Sequence, residues 1–212
     1  MPSSRFLGIF VHPLDCQSEG LTQVFDNLQR VGATAIALTP RLAVPVTEGG
    51  VRFPDLHIDG QKRVLGRPVW GKYELQLKFY PAREPSWHLY EKSVYQPRHV
   101  HVPAELDREV PAKMIEEAHR RGMAAYLQLQ PFLPPDLRRK HERVYVDGSQ
   151  PTGKQIAAQA CLNQPEARAY ALAHIEDNLL HFPSCDGLFV DWTEFAASAP
   201  VGDRILENEP CP

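Results

Sequence analysis

The stretch Cys185-Asp186-Gly187-Leu188-Phe189-Val190-Asp191-Trp192-Thr193-Glu194-Phe195 is a short apolar run that ends in charge. Leu188, Phe189 and Val190 favour β structure, and Asp186-Gly187 supplies a turn before them. A continuous apolar run of this length predicts a parallel strand covered on both faces. Asp191, Trp192 and Glu194 then stand at its carboxyl end, which is where parallel α/β proteins bind their ligands. Carboxylates at such a point suit acid–base or nucleophilic work on a glycosidic bond, and a Trp face stacks on a sugar ring. Counting alternately back from Asp191, Phe189 and Gly187 share one side of the strand, while Leu188 and Val190 take the other.

Working outward, the chain repeats one pattern. Residues 5–12 read as a first buried strand that stops at His12-Pro13. Leu21, Val24, Phe25, Leu28 and Val31 recur at helical spacing over residues 20–31, with Gly32 placed to end the helix. Residues 33–39 give a second strand, stopped by Pro40. The rhythm resumes with a helix from Pro111 that has Met114, Ile115, Ala118 and His119 on its face and is closed by Arg120-Arg121-Gly122. A third strand follows over 123–130 and stops at Pro131. After a loop over 131–162, Asn163 caps a helix with Pro165 in its first turn. Its core side is Ala169, Leu172, Ala173, Ile175, Leu179 and Leu180, and the fourth strand, 187–191, comes next.

Residues 40–108 interrupt the pattern with Pro, Gly, Arg and aromatics. An insertion this long carries short strands of its own, and Val64-Leu65 and Tyr73–Lys78 are the candidates. Its aromatics, among them Trp70, Tyr73, Trp87 and Tyr90, form either the insertion's own small core or platforms for a ligand. Strand–helix alternation without a Gly-rich phosphate loop favours a (β/α)8 TIM barrel over a dinucleotide fold. The expected fold class is therefore α/β. It is a single incomplete TIM-barrel-like domain over 1–212, with about four parallel β/α units and the insertion after the second strand. A whole barrel takes about 250 residues, so half a barrel leaves apolar strand edges open. A homodimer, or a C-terminal half beyond this chain, is the expected cover.

With 212 residues, 43% hydrophobic and 23% charged, the chain has the composition of a soluble globular protein. A net charge of −3 gives no attraction for nucleic acid or an acidic membrane. Four Cys without a CxxC pair, no signal-peptide core and no spanning stretch point to the cytoplasm. The His residues lack HxH or HExxH spacing, so neither a metal nor another cofactor is expected. Ser184 lacks the elbow motif of serine hydrolases, and Arg138-Arg139-Lys140 reads as a solvated face.

Asp191 is the leading candidate for catalysis, against the plainer reading of a carboxylate in a cap or ion pair. Glu194 is a second acid, a support for Asp191, or a solvated loop residue. Trp192 stacks a sugar or packs at the rim. His12 ends the first strand, and Gln128 and Gln130 end the third on a common face. If the strands share one barrel, all three hydrogen-bond a carbohydrate there. Otherwise each is a buried polar group satisfied by neighbouring backbone.

Cys161–Tyr170 followed by Asp186–Phe195, and the block Glu116–Gln128, resemble the third helix, fourth strand and preceding helix–strand unit of bacterial glycoside-hydrolase-like TIM-barrel proteins. These are related to the α-amylase and family-10-like glycosyl hydrolases, and the likeness covers most of 1–39 and 111–195. The resemblance implies hydrolysis of glycosidic bonds in a poly- or oligosaccharide. It puts Asp191 at the place of the α-amylase nucleophile and gives Glu194 the role of acid or support. Phe189 stands where that superfamily has Arg, and Phe195 where it often has His. The family's remaining acids come from its fifth and seventh strands. The alternative is a truncated or degenerate barrel that binds carbohydrate or a partner protein without catalysis.

Overall fold

The computed structural model describes residues 5–46, 51–53, 57–58, 61–62, 75–93, 95–131 and 162–191. In order they form β1 (Gly8–Val11), α1 (Pro13–Glu19), α2 (Leu21–Arg30), β2 (Ala35–Leu38), β3 (Arg41–Val46), β4 (Val51–Phe53), β5 (His57–Ile58), β6 (Gln61–Lys62) and β7 (Leu75–Pro81). A 3-10 turn at Trp87–Tyr90 follows, then α3 (Val110–Arg120), β8 (Ala124–Leu129), α4 (Pro165–His181) and β9 (Gly187–Val190).

The protein is α/β, built on a four-stranded sheet in the order β1-β2-β8-β9. Pairing is parallel, with Val11, Leu38 and Leu127 in one register row and Phe10, Ala37 and Tyr126 in the row before it. The order advances in one direction, without the reversal that marks a doubly wound sheet. The insertion does hold short strands, as expected: β3, β7 and β4 form an antiparallel sheet, and β5 pairs with β6. The predicted strand at 73–78 is β7, displaced to 75–81, whereas Val64-Leu65 lies outside the described residues.

The described chain divides into two compact units. One comprises Met1–Glu84, Val100–Gln128 and Ser184–Phe189; the other comprises Pro85–His99, Leu129–Pro183 and Val190–Pro212.

In the first unit, Val11, Ile36, Leu38, Ala125 and Leu127 bury on one face of the sheet, and Phe25, Met114, Ile115 and Ala118 bury on α2 and α3. Each of the large side chains among them stabilises the fold by about 2 kcal/mol through removal of apolar surface from water. Arg121 ties α3 to α2. Its guanidinium donates to Glu117 and to Asp26 and Gln29, each at 2.6 Å, and lies over the Phe25 ring. Gly32 and Gly122 both follow helix ends at positive φ, 77° and 73°, as their predicted capping positions require.

The opposite face of the sheet is a surface of rings. Phe10 meets Phe189, Phe189 meets Tyr126, and Tyr126 meets Phe6, all edge to face. Beneath these rings runs a row of small residues. A Cβ on Gly187 would stand 3.2 Å from the Tyr126 ring, and one on Gly8 would stand 3.1 Å from the Phe6 ring. Gly187 and Phe189 thus share a side with Tyr126, as the alternation predicts. The expectations that the first strand is buried and that β9 is covered on both faces are corrected: Phe10 on β1 is 58% exposed and Phe189 on β9 is 45% exposed. β1 and β9 are the sheet's outermost strands, and an outer strand has a neighbour on one side only.

Three further expectations change. Pro13 does not merely end a strand; it opens α1, which the sequence reading lacks altogether. Gln164, not Asn163, is the N-cap of α4, and Pro165 takes the first helical position. The buried side of α4 is Ala167, Tyr170, Ala171, Ala173 and Asp177, whereas Leu172 is 66% exposed and Leu179 and Leu180 are exposed too. Apolar and polar residues are mixed all round this helix, so spacing does not select a face. Tyr170 decides it by packing, within the second unit, with Tyr90, Tyr95 and Ala173.

Candidate functional site

The carboxyl ends of the parallel strands carry the candidate residues. Alternation along each strand stacks two rows on the ring-bearing face: Gly8, Ala35 and Ala124; then Phe10, Ala37 and Tyr126. His12, Thr39 and Gln128 come two positions further along, past the paired registers. Side chains therefore pass from small to aromatic to polar towards the strand ends. Gln128 is half-buried. Thr39, absent from the sequence-based candidates, is half-buried, and its Oγ1 is shielded from solvent and makes no hydrogen bond to a described residue. Its signal was available, since Thr39 holds the same position relative to Pro40 as His12 does to Pro13.

His12 is fixed by the helix it starts. Its Nδ1 accepts from the Leu14 backbone N–H at 3.1 Å, and its own backbone N–H donates to Asp15 Oδ2 at 3.1 Å. This reciprocal capping box satisfies two N–H groups that a helix start otherwise leaves unpaired. The imidazole meets the Phe79 ring edge to face. Burial pushes its pKa below the ordinary value, helped by the Arg41 charge and opposed by Asp15. The ring is accordingly neutral at physiological pH.

In the second unit, Gln130 follows β8 and Asp191 follows β9, both half-buried. The Asp191 backbone N–H donates to the Leu129 carbonyl at 2.9 Å, which anchors the turn carrying its carboxylate. Trp192 and Glu194 lie outside the described residues.

Two carboxylates that sequence reasoning passed over carry structure instead. Asp186 sits at the amino end of β9, away from Asp191. Its Oδ2 accepts from the Ala125 N–H at 2.7 Å and meets His119 Nε2 at 2.8 Å. The Ala125 bond, with His119 second, holds its carboxyl below the usual carboxylate range. Asp177, 6% exposed on α4, accepts from Tyr90 Oη at 2.9 Å and from the Ser86 N–H at 3.0 Å. Burial and this carboxylate push the Tyr90 phenol upward. Ser86 Oγ and Asp177 Oδ1 both lie 3.3 Å from His181 Nε2. A catalytic triad engages opposite ring nitrogens, so this trio is a clamp between the 3-10 turn and α4. Of the insertion's aromatics, Tyr90 thus enters a small core, Trp87 is exposed, and Trp70 and Tyr73 lie outside the described residues.

Among the described residues no helix is long and apolar enough to cross a membrane. No family model matches the chain, and neither does any curated protein. Among solved structures, a mutant of Kfla1895 in complex with isomaltose is similar at 14% identity and a TM-score of 0.38, covering 90% of this chain and 25% of that one. A cycloalternan-degrading enzyme from Trueperella pyogenes is similar at 13% identity and a TM-score of 0.38, with the same coverage of both chains. The chain therefore spans about a quarter of the length of these structures.

Proposed function

We propose that this chain is part of a glycoside-hydrolase-like protein whose carbohydrate site forms at the carboxyl ends of its parallel strands. The observation that carries this reading is that His12, Thr39 and Gln128, all polar, each follow by two positions the row of Phe10, Ala37 and Tyr126, towards the end of the sheet where parallel α/β proteins bind ligands. Asp191 is assigned as nucleophile or electrostatic stabiliser, with Glu194 as acid or support. His12, Gln128, Gln130 and Trp192 are assigned to sugar binding. The sheet is read as half of an eight-stranded barrel, closed by strands from a second copy or from further chain. The test is reducing-sugar release from a panel of oligosaccharides by the longest form of the protein that turns over substrate. Asp191→Asn removes at least 99% of turnover and leaves the circular dichroism spectrum unchanged. Undiminished hydrolysis by that variant sinks the assignment.

A second reading, carbohydrate binding without turnover, is favoured by one observation: these three polar residues bring donors and acceptors but no carboxylate. Binding by tryptophan fluorescence with no reducing-sugar release selects it.

A further inference from the structure

Nδ1 of His12 is occupied by the Leu14 N–H, and a nitrogen that accepts a hydrogen bond bears no proton. A neutral imidazole carries one proton, which leaves it on Nε2. Among the described residues Nε2 has no hydrogen-bond partner, and the side chain is only half-buried. Asp15 on α1 is committed through Oδ2 to the His12 backbone N–H, not to the ring. Arg41 on β3 adds positive charge and disfavours a second proton on the imidazole, while Phe79 on β7 packs against it without competing for hydrogen.

We propose that His12 is a donor-only imidazole: its proton is fixed on Nε2 by the helix cap, and it gives that hydrogen to an oxygen of the carbohydrate bound at the strand ends. The second half of this statement rests on the carbohydrate reading above; the first half stands on the geometry of α1 alone. Donor-only character excludes two roles ordinarily open to a histidine in such a place. The group does not act as a general base, because Nδ1 is blocked and Nε2 already holds its proton. For the same reason it does not ligate a metal unless the cap is broken. What it offers is one directed N–H, suited to a hydroxyl or ring oxygen of a neutral sugar.

Two measurements test this. In the unliganded chain, two-dimensional 1H–15N correlation of the histidine rings, with His12 assigned by its loss in His12→Asn, shows the Nε2–H tautomer and a ring that titrates below the ordinary histidine value. An Nδ1–H tautomer, or a ring titrating near the ordinary histidine value, overturns the proposal. The same His12→Asn variant separates cap from donor. Asn is among the best N-cap residues, so α1 and the thermal midpoint are retained, but the far-side N–H is gone. Affinity for whichever of isomaltotriose, maltotriose or cellotriose binds the wild type then falls about tenfold, the worth of one such hydrogen bond. Wild-type affinity in a folded His12→Asn overturns the donation to sugar. If the wild type binds none of the three while the ring shows the Nε2–H tautomer, the carbohydrate reading and the donation to sugar fail together, and the tautomer assignment stands.

Discussion

Asp186 offers a stringent test of how β8 and β9 are held together. Its Oδ2 takes two hydrogens, from the Ala125 backbone and from His119, while its own backbone N–H donates to the Ala125 carbonyl at 2.8 Å. Ala125 is fully buried, so Asp186→Ala strands its N–H without water. A hydrogen bond to a charged acceptor is worth about 1.5–3 kcal/mol, and an orphaned buried donor costs about 1–3. The expected loss is therefore about 2 kcal/mol. The His119 contact adds little to it, because both side chains are more than a third exposed and such pairs are worth under about 1 kcal/mol. Asp186→Asn keeps an acceptor for Ala125 and gives up only the charge, so it loses about half as much. The sign with pH follows from the lowered carboxyl. The contribution is complete above the ordinary value of 3.8 and disappears as pH falls through the lower folded value. Urea unfolding followed by far-ultraviolet circular dichroism, at pH 7 and at pH 3, measures all of this. Asp186→Ala within 0.5 kcal/mol of wild type at pH 7, or equal losses for the Ala and Asn variants, would falsify the claim that the backbone bond dominates.

Tyr90→Phe deletes the phenol that donates to buried Asp177 while keeping the ring against Tyr170; it lowers stability by about 1–2 kcal/mol in urea titrations, and no loss refutes the clamp. Burial, with the Asp15 and Glu19 carboxylates behind it, pushes the Cys16 thiol up to about 12, so in the native chain at pH 8 iodoacetamide alkylates Cys185 far faster than Cys16. Peptide mapping by mass spectrometry measures the two rates, and equal labelling contradicts the buried placement of α1.

The elements that alternate cleanly were legible from residues alone. β2, β8 and β9 and helices α2 and α3 follow from apolar spacing and from their capping glycines, and the common side of Gly187 and Phe189 follows from period two. α1 was not legible because its cap is a histidine, a residue outside the usual Ser, Thr, Asp and Asn set, and only the Asp15 partner reveals the box. The buried side of α4 was hidden because apolar and polar residues are mixed all round it, and a tertiary contact at Tyr170 outweighs periodicity. At the candidate site, His12 and Gln128 were found as strand-end polar residues. Thr39 was missed because a Thr in an apolar strand reads as a β former. Asp186 was read as a turn residue because its partner Ala125 lies 61 positions away, beyond any local pattern.

The row of small residues beneath the rings bears on how this sequence can drift. The backbone of Gly187 needs no special conformation; what keeps a side chain out is the Tyr126 ring, one strand away. Positions 187 and 126 are thus a single compartment shared by two residues, as are 8 and 6. Among homologous chains their volumes should trade off pairwise, so that an alanine or serine at 187 accompanies a leucine or smaller residue at 126. That covariation can be read from an alignment without expressing a protein.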